Sequence, residues 1–238
     1  MLGQNKIAAP FQQVDGSLLV TEFFPTIQGE GPDAGLPAVF VRLSRCNLRC
    51  FWCDTNFEDG TWYMPDDLYK HIHNIRSPGC NLVVITGGEP LLQNVLPLVE
   101  ALNFDGIHVS IETAGTMWLE GLEKKFNSAY RNDNKLVCSP KTPKIQKLIV
   151  PLVHSFKYIV GVDDLSSADG LPVRSTQVPN MPAMIFRPPA GARVYVQAID
   201  TGDPEKNRAN LAAATAISLR HGYRLSVQLH KLPGVELP

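Results

Sequence analysis

The sequence has no apolar run approaching the roughly 18 residues a helix needs to cross a bilayer, which argues against an integral membrane protein. Its opening residues, Met1 to Gln13, lack the charged-then-apolar layout of a secretory leader. A cytoplasmic protein is therefore expected. Charge of neither sign predominates: 22 Lys and Arg face 23 Asp and Glu, for a net charge of −1. Without a basic surplus there is no general pull toward nucleic acid or a membrane surface, although a local basic pocket for a small anion or zwitterion is still allowed. Internal repeats and low-complexity tracts are also missing. Cysteine is scarce and odd in number: there are five, and Cys46, Cys50 and Cys53 fall within eight residues. That is poor arithmetic for disulfides and good arithmetic for a metal site in a reducing compartment.

What is present is an ordinary globular composition over 238 residues. This length suits one sizeable α/β domain, or at most two small ones, and buries a core without staples. The pattern favours a single domain over residues 1–238. Strands are predicted over Leu18–Phe23, Ala38–Leu43, Leu82–Thr86, Ile107–Glu112, Lys135–Cys138, Phe156–Val160, Arg193–Ala198 and Arg224–Leu229. Helices are predicted over Pro65–Arg76, with Leu68, Ile72 and Ile75 on one face, and over Leu92–Leu102, Ile145–Val153 and Pro204–Arg220, the last closed by Gly222. This βαβα order argues for a parallel sheet with helices outside it, open or curled into a partial barrel. Functional residues then belong just past the C-terminal ends of the strands. Three motifs lie there: Gly87-Gly88-Glu89-Pro90, Glu112-Thr113-Ala114-Gly115-Thr116 and Ser139-Pro140-Lys141. The stretch from Asp163 to Pro182, rich in Ser, Asp, Pro and Gly, reads as a surface insertion.

The cysteines are spaced C-x3-C-x2-C, with Trp52 before the last. Three thiolates on one tight loop can hold three irons of a cubane and leave the fourth open to a substrate or cofactor. An electron carrier closes its cluster with four cysteines, and a zinc site also wants a fourth ligand. His71 and His73 are near enough in sequence to keep zinc open by counting. Cys80 and Cys138 read as ordinary buried cysteines.

The triplet resembles the signature of the radical S-adenosylmethionine superfamily, and a second motif agrees with it. Thr86-Gly87-Gly88-Glu89-Pro90, after a buried strand, is similar to the glycine-rich GGE motif of that superfamily. Gly88 would let backbone approach the ligand, and Glu89 would receive the methionine ammonium. The resemblance implies a partial TIM-like (β/α) barrel, a 4Fe-4S cluster held by Cys46, Cys50 and Cys53, and S-adenosylmethionine bound at the open iron. One electron then splits the sulfonium, and the resulting radical abstracts hydrogen from the substrate, so no side chain is assigned as catalytic acid or base.

Further segments resemble one family within the superfamily, the 7-carboxy-7-deazaguanine synthases. They are Thr26-Ile27-Gln28-Gly29-Glu30-Gly31, the Glu112–Thr116 loop, Ser139-Pro140-Lys141 and the C-terminal Leu225–Lys231 with Leu237-Pro238. Together they cover the chain from about Thr21 to its last residue. This implies a lyase that contracts 6-carboxy-5,6,7,8-tetrahydropterin to 7-carboxy-7-deazaguanine with loss of ammonia, in queuosine and other 7-deazapurine biosynthesis. It also implies assistance by Mg2+, a flavodoxin- or ferredoxin-type electron donor, a homodimer, and neither nucleic acid nor membrane as partner. By the same resemblance Ile27, Gln28, Gly29, Arg42, Thr86 and Pro238 bind substrate, Pro238 through a terminal carboxylate. Thr55 offers its hydroxyl to Mg2+. Trp52, Asp54, Gly88, Glu89, Ser139, Pro140, Lys141, Gln197 and Asp200 contact S-adenosylmethionine. Ala114 stands where Asn or Ser is expected, which removes a side-chain contact there but not the turn.

Structural roles compete with several of these. Arg42 is able to pair with Glu30, Thr55 to cap a turn, Lys141 to sit in solvent, and Ser139-Pro140 simply to stop a strand. At the level of function, two alternatives stay open at this point. One is an activase that installs a glycyl radical on a partner protein. The other is a non-enzymatic iron–sulfur or zinc-binding module.

Overall fold

A computed structural model describes residues 6–9, 15–51, 53, 57–126, 133–177 and 184–232. Nine strands form one sheet: β1 (Leu18–Ile27), β2 (Pro37–Leu43), β3 (Thr61–Tyr63), β4 (Leu82–Gly87), β5 (His108–Thr113), β6 (Lys135–Cys138), β7 (Val153–Val160), β8 (Val194–Ala198) and β9 (Arg224–Ser226). Their order is β3-β1-β2-β4-β5-β6-β7-β8-β9. β1 runs antiparallel to β2 and β3, and every pair from β2 to β9 is parallel. A parallel sheet is covered on both faces, so its strands read as nearly continuous apolar runs. Leu82–Ile85 of β4 is such a run, and all four residues are buried. The sheet keeps two ends and is the partial barrel the sequence pattern calls for.

The α-helices among the described residues are α1 (Pro65–Ile75), α2 (Leu96–Phe104), α3 (Leu122–Phe126) and α4 (Pro204–His221). Pro65 opens α1, where its missing N–H costs nothing. Leu68 and Ile72, one turn apart, are fully buried beneath it, each contributing about 1.5–3 kcal/mol by leaving water. In α4 the Asp203 carboxylate accepts from the N–H groups of Glu205 and Lys206, and Gly222 closes the helix at φ 71°. One side chain of α4 ties down two strands. Asn210 donates to Ile199 O at 3.1 Å just past β8, and accepts from Val162 N at 3.1 Å just past β7. Among the described residues no helix is long and apolar enough to cross a membrane.

The sequence pattern predicts neither β3 nor α3, β7 starts at Val153 instead of Phe156, and four further segments depart from the pattern by more than shifts of one or two residues. β1 continues past Phe23 to Ile27 despite Pro25, because beyond Val20 only its β2 side is paired, and proline is tolerated on an unpaired edge. α2 starts at Leu96 instead of Leu92, since Pro97 suits only the first turn of a helix and Pro90–Leu92 forms a short 3-10 turn. β9 stops at Ser226, and Leu229–Lys231 turns as a 3-10 helix. Ile145–Val153 is not a helix: it is a turn, a 3-10 segment at Val150–Leu152 and the first residue of β7. Pro151 interrupts it, and Leu148 faces solvent while Ile149 is buried, so no apolar stripe holds a longer helix down.

The stretch after β7 is also more than a surface insertion. Leu171 is fully buried in a core formed with Phe156, Tyr158, Val196, Ala214 and Ile217. The Arg187 guanidinium pairs with Asp169 and donates to Pro172 O, folding the stretch back onto the sheet.

Candidate active site

The loop that leaves β2 carries the three cysteines, and the structure holds it from three sides. Arg45 takes a left-handed backbone, φ 72°, which is unfavourable for a residue with a side chain. Its N–H donates to Phe57 O, and its carbonyl accepts from Glu89 N at 2.9 Å. Gly88 N donates to Leu43 O at 3.0 Å. The turn after β4 therefore lies directly on the cysteine loop. A Cβ at Gly88 would stand 1.8 Å from Arg45 O, a backbone atom that cannot swing aside. Gly88→Ala is thus expected to lower stability by about 2–3 kcal/mol and to at least halve the iron taken up on anaerobic reconstitution. A denaturant midpoint and iron per chain both equal to wild type would refute this account of the turn. On the third side, Asn47 exchanges hydrogen bonds with Thr116 Oγ1 at 2.9 and 3.2 Å, joining the cysteine loop to the turn after β5.

Cys46, Cys50 and Cys53 all border one cavity of about 350 Å3 at the C-terminal end of the parallel strands. Cys46 is buried, and burial pushes its thiol pKa up to about 12. A thiol so placed becomes a ligand only when a metal centre takes its proton. The cavity and the donor set fit an iron–sulfur cluster: three sulfur donors at one end, with space beside them instead of a fourth cysteine. The two histidines that kept zinc open are engaged elsewhere. His71 packs against Phe23 and Tyr63, and His73 bonds Asp105 at 2.9 Å. Cys80 and Cys138 are buried.

Glu89 lies deeper than Gly87 and Gly88 of its motif. Its side chain is fully buried and is not part of the cavity wall. One carboxylate oxygen accepts from Thr113 Oγ1 at 2.6 Å and Leu91 N at 3.1 Å, the other from Ala114 N at 2.9 Å. Burial raises its pKa, and these donors oppose the rise. Glu89 therefore braces the turn after β4 against the turn after β5, behind the cavity wall.

At the opposite end of the cavity lies a polar network that the sequence pattern pointed to only in part. Lys157, in the middle of β7, is almost wholly buried. Its ammonium sits 2.6 Å from Glu30 Oε2 and 3.6 Å from Glu112 Oε1. Glu30 Oε1 accepts from Gln197 and Gln228, each at 2.9 Å. Gln28 and Thr86 donate to the two oxygens of Glu112 at 3.2 Å. Burial alone would raise the Glu30 pKa, but the Lys157 charge and hydrogen bond outweigh it and bring it to about 2. Burial would likewise lower Lys157, yet the Glu112 and Glu30 charges hold it above its usual value. Glu30 and Lys157 are therefore both ionised near neutrality and form a buried ion pair beside Glu112. Glu30 and Glu112 stand inside motifs already singled out. Lys157 had its own signal, a lone lysine within the apolar run Ser155–Val160, since an ammonium is buried only when paired.

Other expected residues fall around the same cavity. Ile27, Gln28, Gly29, Arg42, Thr86, Gly88, Ser139, Lys141, Gln197 and Asp200 all border it. Gly29 faces the C-terminal segment: a Cβ there would come 2.4 Å from His230 Nδ1, and Gly29 O accepts from Leu229 N at 3.1 Å. Arg42 pairs at 3.0 Å with Glu22, its cross-strand neighbour in β1, and not with Glu30. Its guanidinium lies over the Phe24 ring, 5.3 Å from the centroid. Lys141 is not a solvated lysine. It donates to Ser139 Oγ at 2.7 Å, and burial lowers its pKa. Pro140 is buried behind the wall. Asp200 pairs with Lys231, whose hydrogen bond, with those of Gly202 N and Asn207, holds its pKa at about 2. Gln197 is spanned between Glu30 and Ser226. Trp52, Asp54, Thr55 and Pro238 lie outside the described residues.

Comparison with known proteins gives the family of the chain. Residues 41–138 match the radical SAM superfamily. The chain is 44% identical to a 7-carboxy-7-deazaguanine synthase of Rhodospirillum rubrum over 98% of each protein. It is 34% identical to the enzyme of that name from Rickettsia prowazekii, over 99% of this chain and 96% of the relative. The crystal structure of QueE from Escherichia coli superposes with a TM-score of 0.64 at 22% identity, covering 90% of this chain and 95% of the other, a likeness of fold.

Proposed function

Because the chain belongs to the 7-carboxy-7-deazaguanine synthase family of radical SAM enzymes, we propose that it contracts 6-carboxy-5,6,7,8-tetrahydropterin to 7-carboxy-7-deazaguanine with loss of ammonia, supplying 7-deazapurine biosynthesis. The observation that carries this reading is a single cavity with three cysteines at one end and a carboxylate–amide network at the other. When bound, a 4Fe-4S cluster with an open iron supplies the electron that reductively cleaves S-adenosylmethionine.

The chain's own residues bind and orient. A pterin presents a row of N–H donors along its pyrimidine edge, and carboxylates accept such donors most strongly. Glu30 and Glu112, both held by Lys157, offer acceptor oxygens on the cavity wall. Gln28, Gln197 and Gln228 fix those carboxylates with amide N–H groups, and Glu30 N and Ser226 Oγ in turn hold the amide oxygens of Gln28 and Gln197. The substrate carboxylate falls to Arg42, whose planar fork suits it and which Glu22 and Phe24 already orient. Ser139, Lys141, Gly88 and Asp200 line the part of the wall assigned to S-adenosylmethionine, with Gln197 between the two ligands. The volume, about 350 Å3, suits small ligands and not the protein loop that a glycyl-radical activase must admit. To the same reading belong Mg2+ with Thr55 as protein ligand, Trp52 and Asp54 as contacts of S-adenosylmethionine, a flavodoxin- or ferredoxin-type donor, and a homodimer, all on the resemblance of the motifs.

The test is a product assay. Reconstituted protein given reductant, S-adenosylmethionine, Mg2+ and 6-carboxytetrahydropterin should release ammonia and form the deazapurine chromophore, without net consumption of S-adenosylmethionine. Steady cleavage of S-adenosylmethionine with neither product would eliminate this substrate.

A further inference from the structure

The stretch that follows β7 closes over the cysteine loop at Cys50. Phe51 N donates to Thr176 O at 3.1 Å, and Arg49 N donates to Gln177 Oε1 at 2.8 Å. The backbone N–H groups on both sides of Cys50 are thus taken by two consecutive residues more than 120 positions away. The side chains of the same two residues meet the cysteine sulfur. Thr176 Oγ1 lies 2.9 Å from Cys50 Sγ, and Gln177 Nε2 lies 3.3 Å from it. Gln177 Nε2 also donates to Thr176 Oγ1 at 3.0 Å.

The directions of these bonds follow from the network. Arg49 N–H needs an acceptor, so the Gln177 amide turns its oxygen there and its NH2 group toward the sulfur and the hydroxyl. The Thr176 hydroxyl, already accepting from that amide, sends its hydrogen either to the sulfur at 2.9 Å or to Lys141 O at the longer distance of 3.4 Å. Thr176 is buried, and its backbone N–H is anchored on Lys141 O at 3.2 Å. Ser175 Oγ donates to the same carbonyl at 3.1 Å. Neither Thr176 nor Gln177 is part of the cavity wall.

We propose that Thr176 and Gln177 are positioning residues that donate hydrogen bonds to the Cys50 sulfur and raise the reduction potential of the iron–sulfur cluster. The proposal rests on the assignment of that cluster to Cys46, Cys50 and Cys53. Reduction adds negative charge that is shared by the cysteine sulfurs. Donors aimed at a sulfur stabilise the reduced form more than the oxidised one, and cluster potentials follow hydrogen bonding and solvent exposure. Thr176→Val keeps the shape and removes the O–H. Gln177→Leu removes the N–H and leaves the hydroxyl.

The measurement is a dye-mediated potentiometric titration of the reconstituted protein, following the EPR signal of the reduced cluster, with iron counted per chain. At a fixed potential, Thr176→Val should lower the reduced-to-oxidised ratio about tenfold, or about 59 mV for one electron, and Gln177→Leu about threefold, while Thr176→Ser stays within about twofold of wild type. An unchanged potential in Thr176→Val at full iron content overturns the proposal, as does a Thr176→Ser shift as large as that of Thr176→Val. If Thr176→Val does not take up iron, Gln177→Leu decides, and an unchanged potential there refutes the donation. A wild-type protein that binds no cluster would instead overthrow the cluster assignment, and this proposal with it.

Discussion

Cys50→Ala should reduce 5′-deoxyadenosine formation from S-adenosylmethionine to the background of the assay mixture. The three cysteines of this loop are the only thiols on the cavity wall among the described residues. Each thiolate of a cubane holds its own iron, so no neighbour takes over when one is lost. The nearest alternatives are occupied or remote. Cys138 is buried in the second core, and Cys80 sits beneath the sheet with its thiol toward Leu82 O. Cys80→Ala is therefore the control: a modest loss of packing and full cleavage activity. Deoxyadenosine is measured by chromatography after reduction with dithionite, with both variants reconstituted side by side. Unchanged production by Cys50→Ala would overturn the cluster assignment from which the whole functional reading follows.

Lys157→Met should be the most destabilising single change at the far end of the cavity. Methionine fits the volume of the lysine stem but leaves Glu30 and Glu112 facing each other without a counter-charge. Removing one member of a buried ion pair costs about 3–5 kcal/mol, because the remaining charge stays desolvated. The pH dependence identifies the cause. In wild type, the Glu30 pKa is depressed to about 2 from an ordinary 4.5, so its contribution is complete above pH 4.5 and is lost as pH falls through 2. Lys157 is raised above its ordinary 10.5, so its contribution is complete below pH 10.5 and is lost only as pH rises past the folded value. Between these limits the Glu30–Lys157 pair contributes a constant amount. In Lys157→Met the two carboxylates gain by taking up a proton, so the gap to wild type should narrow as the pH is lowered from 8 to 5. Urea midpoints at several pH values measure it. A gap that stays level across that range would mean that lost packing, and not stranded charge, explains the cost.

Much of the fold was legible because parallel strands announce themselves. Leu82–Thr86, Lys135–Cys138 and Phe156–Val160 are short apolar runs bounded by turn residues, and each is a strand. What escaped was whatever tertiary contact decides. Ile145–Val153 has helical periodicity, but Leu148 faces solvent, Ile145 and Ile149 pack against different cores, and Pro151 breaks its ladder. β1 outruns its pattern because an open edge forgives Pro25. At the site, the cysteines and Gly88 were readable since metal spacing and close backbone approach each restrict residue type. The burial of Glu89 was not legible in its motif. Its burial depends on Thr113 and Ala114, which the sequence places 24 and 25 residues away. Lys157, Gln228 and His230 were missed for a related reason: they become site residues only once the ends of the sheet approach each other.

The walls of the cavity are made at very different times. A ribosome releases the cysteines early, yet Cys50 finds its clasp only at Thr176 and Gln177, 126 and 127 residues later. Gly29 waits longer still, for Leu229 and His230. A nascent chain that has exposed the thiols has therefore built neither their cover nor the opposite wall. Delivery of iron and sulfide then falls to a late stage of maturation, after β7 has joined the sheet, and a chain interrupted before that stage would leave its thiols open to oxygen.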